Sequence, residues 1–266
     1  MRNVDVSVII PVYNARNSIV AAVDSVLKQT FNGSIEIIII DDGSTDNSTC
    51  VIEAYLKKLV IPRFSVLITQ QINKGVSTAR NSGIKLSKGK WLAFLDSDDI
   101  WMPEKLDTQF SVILSNPSIK FIGSNRNGEV YPYFRKKDQT VFNLNARQIL
   151  LKWYPQTSTV LMSSDLCSKV YFDESMSHGE DGDLWLRVVN MTPLYVVNKD
   201  LVFTGDGKRH FGESGLSSNL PMMFNGELSN LSSALKRNQI NSFEYLFFLC
   251  FFYLKYFRRI IITKLR

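Results

Sequence analysis

The chain has 266 residues, 45% hydrophobic and 21% charged, a balance that suits one large core or two smaller ones and excludes a disordered or fibrous polymer. Its net charge of +6 rests on the last twelve residues, where Lys255, Arg258, Arg259, Lys264 and Arg266 meet no acid. Without those five it falls to about +1, so a protein-wide nucleic-acid surface is excluded. Three dispersed cysteines, Cys50, Cys167 and Cys250, exclude a disulfide framework and a thiolate metal cluster, and a reducing cytosol is expected.

The amino terminus, VDVSVIIPVYN, is apolar only briefly and is broken by Pro11, which is not the pattern of an export signal. Apolar runs at Val6 to Ile10, Ile35 to Ile40, Phe64 to Ile68 and Trp91 to Leu95 have the length and β-branched content of strands buried on both faces. Between the first two, Ile19, Ala22, Val23, Val26 and Leu27 share one helix face, with Asn14 or Asn17 to cap it; Thr45 to Leu59 and Val76 to Leu86 read as further helices. Alternating strands and helices predict an α/β protein, a Rossmann-like, mostly parallel sheet flanked by helices, which binds ligands at the carboxyl ends of its strands. The clusters VYN, DDGSTD, NKGVSTARN and DSDD stand at those four ends. Beyond Asn116 come shorter strands and turns over Gly123 to Tyr133, a helical stretch from Ala146 to Trp153 and a helix from Asp181 to Val189.

The stretch WLAFLDSDDIWMPEKL drives its strand into Asp96, Asp98 and Asp99. One carboxylate would cap the helix that Pro103 opens; three repel one another, and a bound divalent cation accounts for them better. In DDGSTD, Gly43 and Ser44 suit a turn, and Ser44, Thr45 or Asp46 a helix cap. Taken alone, Arg80 reads equally as a surface arginine, Asp181 as a helix cap, and Gly207 to Leu220 as a solvated loop.

Together VSVIIPVYN, SVLKQT, IEIIIIDDGSTDNS, NKGVSTARNSG, FLDSDD and HGEDGDLWLRV resemble, in order and spacing, the family 2 glycosyltransferases, nucleotide-diphospho-sugar enzymes of the GT-A fold, over roughly residues 4 to 217. The resemblance implies a nucleoside pocket walled by Pro11, Tyr13 and Asn14, with Asp41 at the uracil of a UDP-sugar and Asp42, Gly75 and Arg80 binding the donor. It implies Asp96 and Ser97 near the ribose or the metal waters, and Asp98 as a ligand of Mg²⁺ or Mn²⁺ bridging the diphosphate. Asp181 becomes the catalytic base with Glu180 orienting it, Lys208 and Arg209 touch phosphate, and His210 is a third metal ligand. One base opposite a metal-bridged leaving group means a single, inverting displacement. The implied acceptor is a hydroxyl of a glycan or lipid-linked oligosaccharide in surface-polysaccharide (O-antigen or capsule) synthesis.

Tyr245 to Leu254 is a run of ten apolar residues, short of the roughly 20 that span a bilayer. With the cations that follow, it suits a helix lying in an anionic membrane interface at the inner face of the cell membrane; a helix packed on the core is the alternative. Residues 1–217 are thus expected to form the catalytic domain and 218–266 a helical extension with a membrane-associating tail, removable after Ser242 without unfolding. Aspartyl-phosphate phosphatases also follow a strand with D-x-D, but on the first strand, and with Thr or Val where Ile100 stands here. A non-catalytic sugar-binding scaffold is disfavoured by the joint presence of Asp41, Asp98 and Asp181, and a dinucleotide-dependent oxidoreductase by PVYNAR in place of a Gly-rich turn.

Overall fold

The computed structural model describes residues 4–129, 140–151, 154–205 and 218–265. Strands β1 (Val6–Val12), β2 (Ile35–Asp41), β3 (Phe64–Gln70) and β4 (Trp91–Phe94) pair in parallel in the order β3-β2-β1-β4, linked by helices α1 (Ile19–Leu27), α2 (Ser48–Leu56) and α3 (Val76–Leu86). Three local expectations are corrected. β1 continues through Pro11 to Val12, in register with Ile40 and Asp41 of β2. β3 alternates in exposure because it is the sheet edge, with one flank unpaired. α1 starts after Ser18, not after Asn14 or Asn17, and α2 starts at Ser48, because Asp46 accepts the N–H groups of Arg16 and Ser48 and Asn14 that of Thr45, which holds the intervening residues in a turn.

The second half contributes β5 (Ile100–Trp101), α4 (Lys105–Ser115), β6 (Phe121–Arg126), β7 (Val141–Leu144), α5 (Ala146–Leu150), a 3-10 turn at Thr157–Thr159, β8 (Leu161–Ser163), α6 (Ser164–Cys167), α7 (Glu180–Val188), β9 (Leu194–Phe203), α8 (Leu220–Lys236) and α9 (Ser242–Lys264). β8 inserts antiparallel between β4 and β6, β6 runs parallel to β9, and β5 and β7 pair antiparallel with β9. Two reversals restore direction. β6 and β9 therefore run with β1 to β4, and six carboxyl ends share one edge.

Strand alternation divides the core in two. Ile9, Leu92, Phe94, Phe121 and Met162 face α5, α7, α8 and α9, with Phe121 set edge-on to Trp185 at 4.8 Å. Val8, Ile10, Ala93, Ile122 and Leu161 face α1 and α4. At about 1.5–3 kcal/mol for each large apolar side chain removed from water, these two layers hold the edge rigid.

The carboxyl-terminal helices belong to the first layer. Phe248 and Phe252 of α9 enter its core, Tyr256 stacks on Phe224 of α8 at 4.5 Å, and Lys255 and Arg259 reach the buried Glu227 at 3.2 and 2.9 Å. Two of the five clustered cations thus turn inward rather than toward a membrane. The other side of α9 exposes Phe243, Leu246, Phe247, Leu254, Phe257 and Ile261, one stripe at helical spacing, beside the exposed Arg258 and Lys264. No helix among the described residues is long and apolar enough to cross a membrane.

Candidate functional site

At the carboxyl ends of β1 and β2, the polar clusters are braced against one another. Asn14, at φ 50°, donates its N–H to Ser44 Oγ while its side chain accepts from Thr45. Asp41, 2% exposed, accepts the Ser44 N–H at 2.8 Å on one oxygen and the Thr49 hydroxyl on the other. Asp42 accepts from Gln71 Nε2 and from the N–H groups of Lys74 and Gly75, at 2.8–2.9 Å. Both carboxylates, expected to bind the donor, hold the turns that follow β2 and β3 in this structure. Pro11 is buried within β1, whereas Tyr13 is 54% exposed and offers its ring to solvent. Gly75 opens α3 at φ 89° with nothing within 4 Å of where a Cβ would stand. Backbone conformation, not crowding, requires glycine there.

At the end of β4, Asp98 is exposed and Ser97 half-buried. Asp99 is buried, taking the Gly205 N–H at 3.0 Å, the Ser158 hydroxyl and Gln156 Nε2 at 3.3 Å. Its carboxyl is pushed up to about 7 by burial, then by the charges of Asp96 and Asp98. Ser158 also accepts the Asp96 N–H, and its carbonyl accepts Trp101 Nε1 at 2.8 Å. Three carboxylates thus converge, and the Arg80 guanidinium is set against one of them, Asp96.

Arg80, expected in the donor pocket, meets two carboxylates beside the aspartate cluster. It is 3% exposed and spans two acids, donating to Asp96 at 2.7 Å and to Glu180 at 2.9 Å, with its guanidinium 5.1 Å from the Phe172 ring centre. It ties the aspartate cluster after β4 to the first turn of α7, whose Glu180 lies 100 residues beyond Arg80 in the chain.

That turn is held from behind by α8. Gly226 lies so near that a Cβ would fall 2.3 Å from the His178 carbonyl, and Asn230 donates to the Gly179 carbonyl at 2.9 Å. Of its three acids, Glu180 has Arg80, and Asp183 has Arg187 and Arg237 at 2.8 and 3.0 Å. Asp181 is half-buried, and among the described contacts no cation reaches it. Its Oδ1 accepts the Tyr154 hydroxyl at 3.2 Å and the Gly182 N–H at 2.7 Å. Burial, then Asp181, raises the Glu180 carboxyl against the pull of Arg80.

Lys208, Arg209 and His210 lie outside the described residues. Among the described residues, no three His, Cys, Asp or Glu side chains form a ready-made metal cage. Tyr154, Gln156 and Ser158 escaped the sequence reading, because a three-residue 3-10 turn has no periodicity to detect; the polar run QTST before an apolar VLM was the available signal.

A family model described as Glycosyl transferase family 2 matches residues 7–174. The chain is 31% identical over 218 residues to WfgD of Escherichia coli, the UDP-Glc:alpha-D-GlcNAc-diphosphoundecaprenol beta-1,3-glucosyltransferase, covering 80% of each. Among solved structures it superposes on S. aureus TarS 1-349 in complex with UDP-GlcNAc, with TM-score 0.69, 22% identity, and 87% of this chain and 66% of that one covered. It also superposes on the mannosyltransferase PcManGT from Pyrobaculum calidifontis in complex with GDP-Man and Mn²⁺, with TM-score 0.67, 14% identity, and 88% and 65% covered. These two likenesses concern the fold alone. The chain spans just under two thirds of both, and 29% of a Rickettsia bellii glycosyltransferase to which it is 34% identical over 203 residues. Because the family model takes in more than half of the sequence and WfgD is matched over four fifths of its length, this chain, with its GT-A sheet, belongs to the family 2 glycosyltransferases.

Proposed function

We propose that the protein transfers a sugar from a UDP-sugar to a hydroxyl of a lipid-linked glycan in surface-polysaccharide synthesis, with inversion and with Asp181 as base. The observation that carries this reading is the division of charge in the first turn of α7. Glu180 and Asp183 are neutralised by arginines while Asp181 meets a neutral donor, so Asp181 is the acid able to exchange a proton. Arg80 holds that turn against the aspartate cluster, where the diphosphate would lie. In the reaction, an acceptor oxygen attacks the anomeric carbon as Asp181 takes its proton. The bond from that carbon to the diphosphate breaks, and the electron pair leaves on the nucleoside diphosphate. Donor and acceptor class follow WfgD, whose name specifies both.

The residues fit a divalent cation. Exposed Asp98 supplies a hard oxygen, and the charges of Asp96 and Asp98 help to raise the buried Asp99 beside them, a concentration of carboxylates that suits a cation. Mg²⁺ or Mn²⁺, completed by phosphate and water, would stabilise the charge growing on the leaving diphosphate.

A panel of UDP-sugars, titrated with Mg²⁺ and Mn²⁺, tests the reading with two variants. Asp98→Asn is expected to weaken metal-dependent donor binding, and Asp181→Asn to keep donor binding while turnover falls by roughly 100-fold or more. Wild-type turnover in Asp181→Asn, or donor binding indifferent to both metal and Asp98, would sink it.

The outward stripe of α9 supports residence at the inner face of the membrane, close to a lipid-linked acceptor. Leu254 and Phe257 are 70% and 57% exposed, so Leu254→Ser with Phe257→Ser is expected to leave melting unchanged and to weaken binding to anionic vesicles by about 10-fold or more. Vesicle binding equal to wild type would refute the membrane assignment.

A further inference from the structure

The base lies against a phenol. Tyr154 packs on the core layer formed by α5, α7, α8 and α9, and its hydroxyl is 3.2 Å from Asp181 Oδ1. The Gly182 N–H reaches the same oxygen, so the described hydrogen bonds of this carboxylate fall on Oδ1 and leave Oδ2 to exchange a proton. We propose that Tyr154 is a positioning residue for glycosyl transfer: by donating to Oδ1, its hydroxyl fixes the Asp181 carboxylate with Oδ2 toward the acceptor. This rests on Asp181 being the base.

The direction of the bond is fixed by the surroundings. Burial, and after it the charges of Asp181, Glu180 and Glu227, push ionisation of the Tyr154 phenol well above its ordinary range, so the hydroxyl remains a donor wherever the enzyme works. Other charges around it are already matched. Glu180 is held by Arg80, Asp183 by Arg187 and Arg237, and Glu227, which lines a small buried cavity together with Tyr154, by Lys255 and Arg259. Asp181 alone in this group has a neutral side-chain partner. A hydrogen bond to the charged form of an acid favours that form, so a change in the donor at position 154 is expected to register in the pH profile of the rate.

The test is the pH profile of kcat, with the UDP-sugar and acceptor that give turnover. Tyr154→Phe deletes one oxygen and is expected to lower kcat by about 10-fold, to raise the acid limb by ~0.5–1 pH unit, and to leave the donor KM unchanged. Placing 3-fluorotyrosine at position 154, a stronger donor of nearly the same shape, is expected to move the same limb to lower pH. Shifts of opposite sign in two folded proteins are not what a packing role produces. If Asp181→Asn abolishes turnover but neither change at Tyr154 moves the limb, the positioning role is overturned while the base assignment stands. If Asp181→Asn retains turnover, both fall together. Should Tyr154→Phe fail to fold, the fluorotyrosine enzyme decides: a limb at the wild-type pH overturns the proposal.

Discussion

Replacing Arg80 by methionine is expected to lower the melting temperature by roughly 10 °C and turnover by about 100-fold or more. The guanidinium is almost fully buried between Asp96 and Glu180, and removing one partner from a buried ion pair costs about 3–5 kcal/mol because the other charge is stranded. For a chain of this size each kcal/mol is worth roughly 2–4 °C. The pH dependence has a definite sign. Burial and Asp181 already raise the Glu180 carboxyl, with Arg80 opposing, so without Arg80 it rises further. A carboxyl with a raised folded-state pKa stabilises the fold while protonated, and that contribution is lost as pH climbs through the folded value. The deficit of the variant should therefore be widest above neutrality and should narrow as the pH falls toward the ordinary carboxylate range of about 4–4.5. Arg80→Lys keeps a charge but not the planar fork that reaches two acids, and should fall between the two. Melting and turnover of Arg80→Met equal to wild type at pH 8 would refute the bridging role.

Truncation after Ser242 is expected to leave an unfolded or aggregating chain. This reverses what the sequence suggests. Phe248 and Phe252 are 4% and 2% exposed, and losing their burial costs about 1.5–3 kcal/mol apiece. Glu227, 2% exposed, would lose Lys255 and Arg259 together, a further cost of about 3–5 kcal/mol. The sum rivals the 5–15 kcal/mol that holds a typical domain together. Because α8 also backs the turn that carries Asp181, through Gly226 and Asn230, any folded remnant should lose turnover with stability. Lys255→Met with Arg259→Met isolates the electrostatic part: it strands Glu227 and should destabilise strongly, and adding Glu227→Met should restore most of the loss. A truncated chain that melts as the full chain does would show that α9 is dispensable.

How much of this was legible beforehand differs by element. The four strands β1 to β4 and the polar clusters at their ends follow from local pattern, since apolar runs of five or six residues and acid-rich turns are properties of adjacent residues. Family membership followed from the same clusters. Partnership was not legible. Arg80, Asp96 and Glu180 meet only because β1 lies between β2 and β4 and α7 packs back on the sheet, and nothing in NKGVSTARN distinguishes an arginine that faces phosphate from one that clamps two acids. Tyr154 likewise depends on a contact between residues 27 positions apart across a turn without periodicity. The tail illustrates the division most sharply. Sequence alone gives a ten-residue apolar run, Tyr245 to Leu254, with cations after it, within an expected helical extension. Which aromatic residues enter the core, and which cations neutralise Glu227, was decided by the position of α8, because a helix apolar on several faces buries whichever face its neighbour accepts.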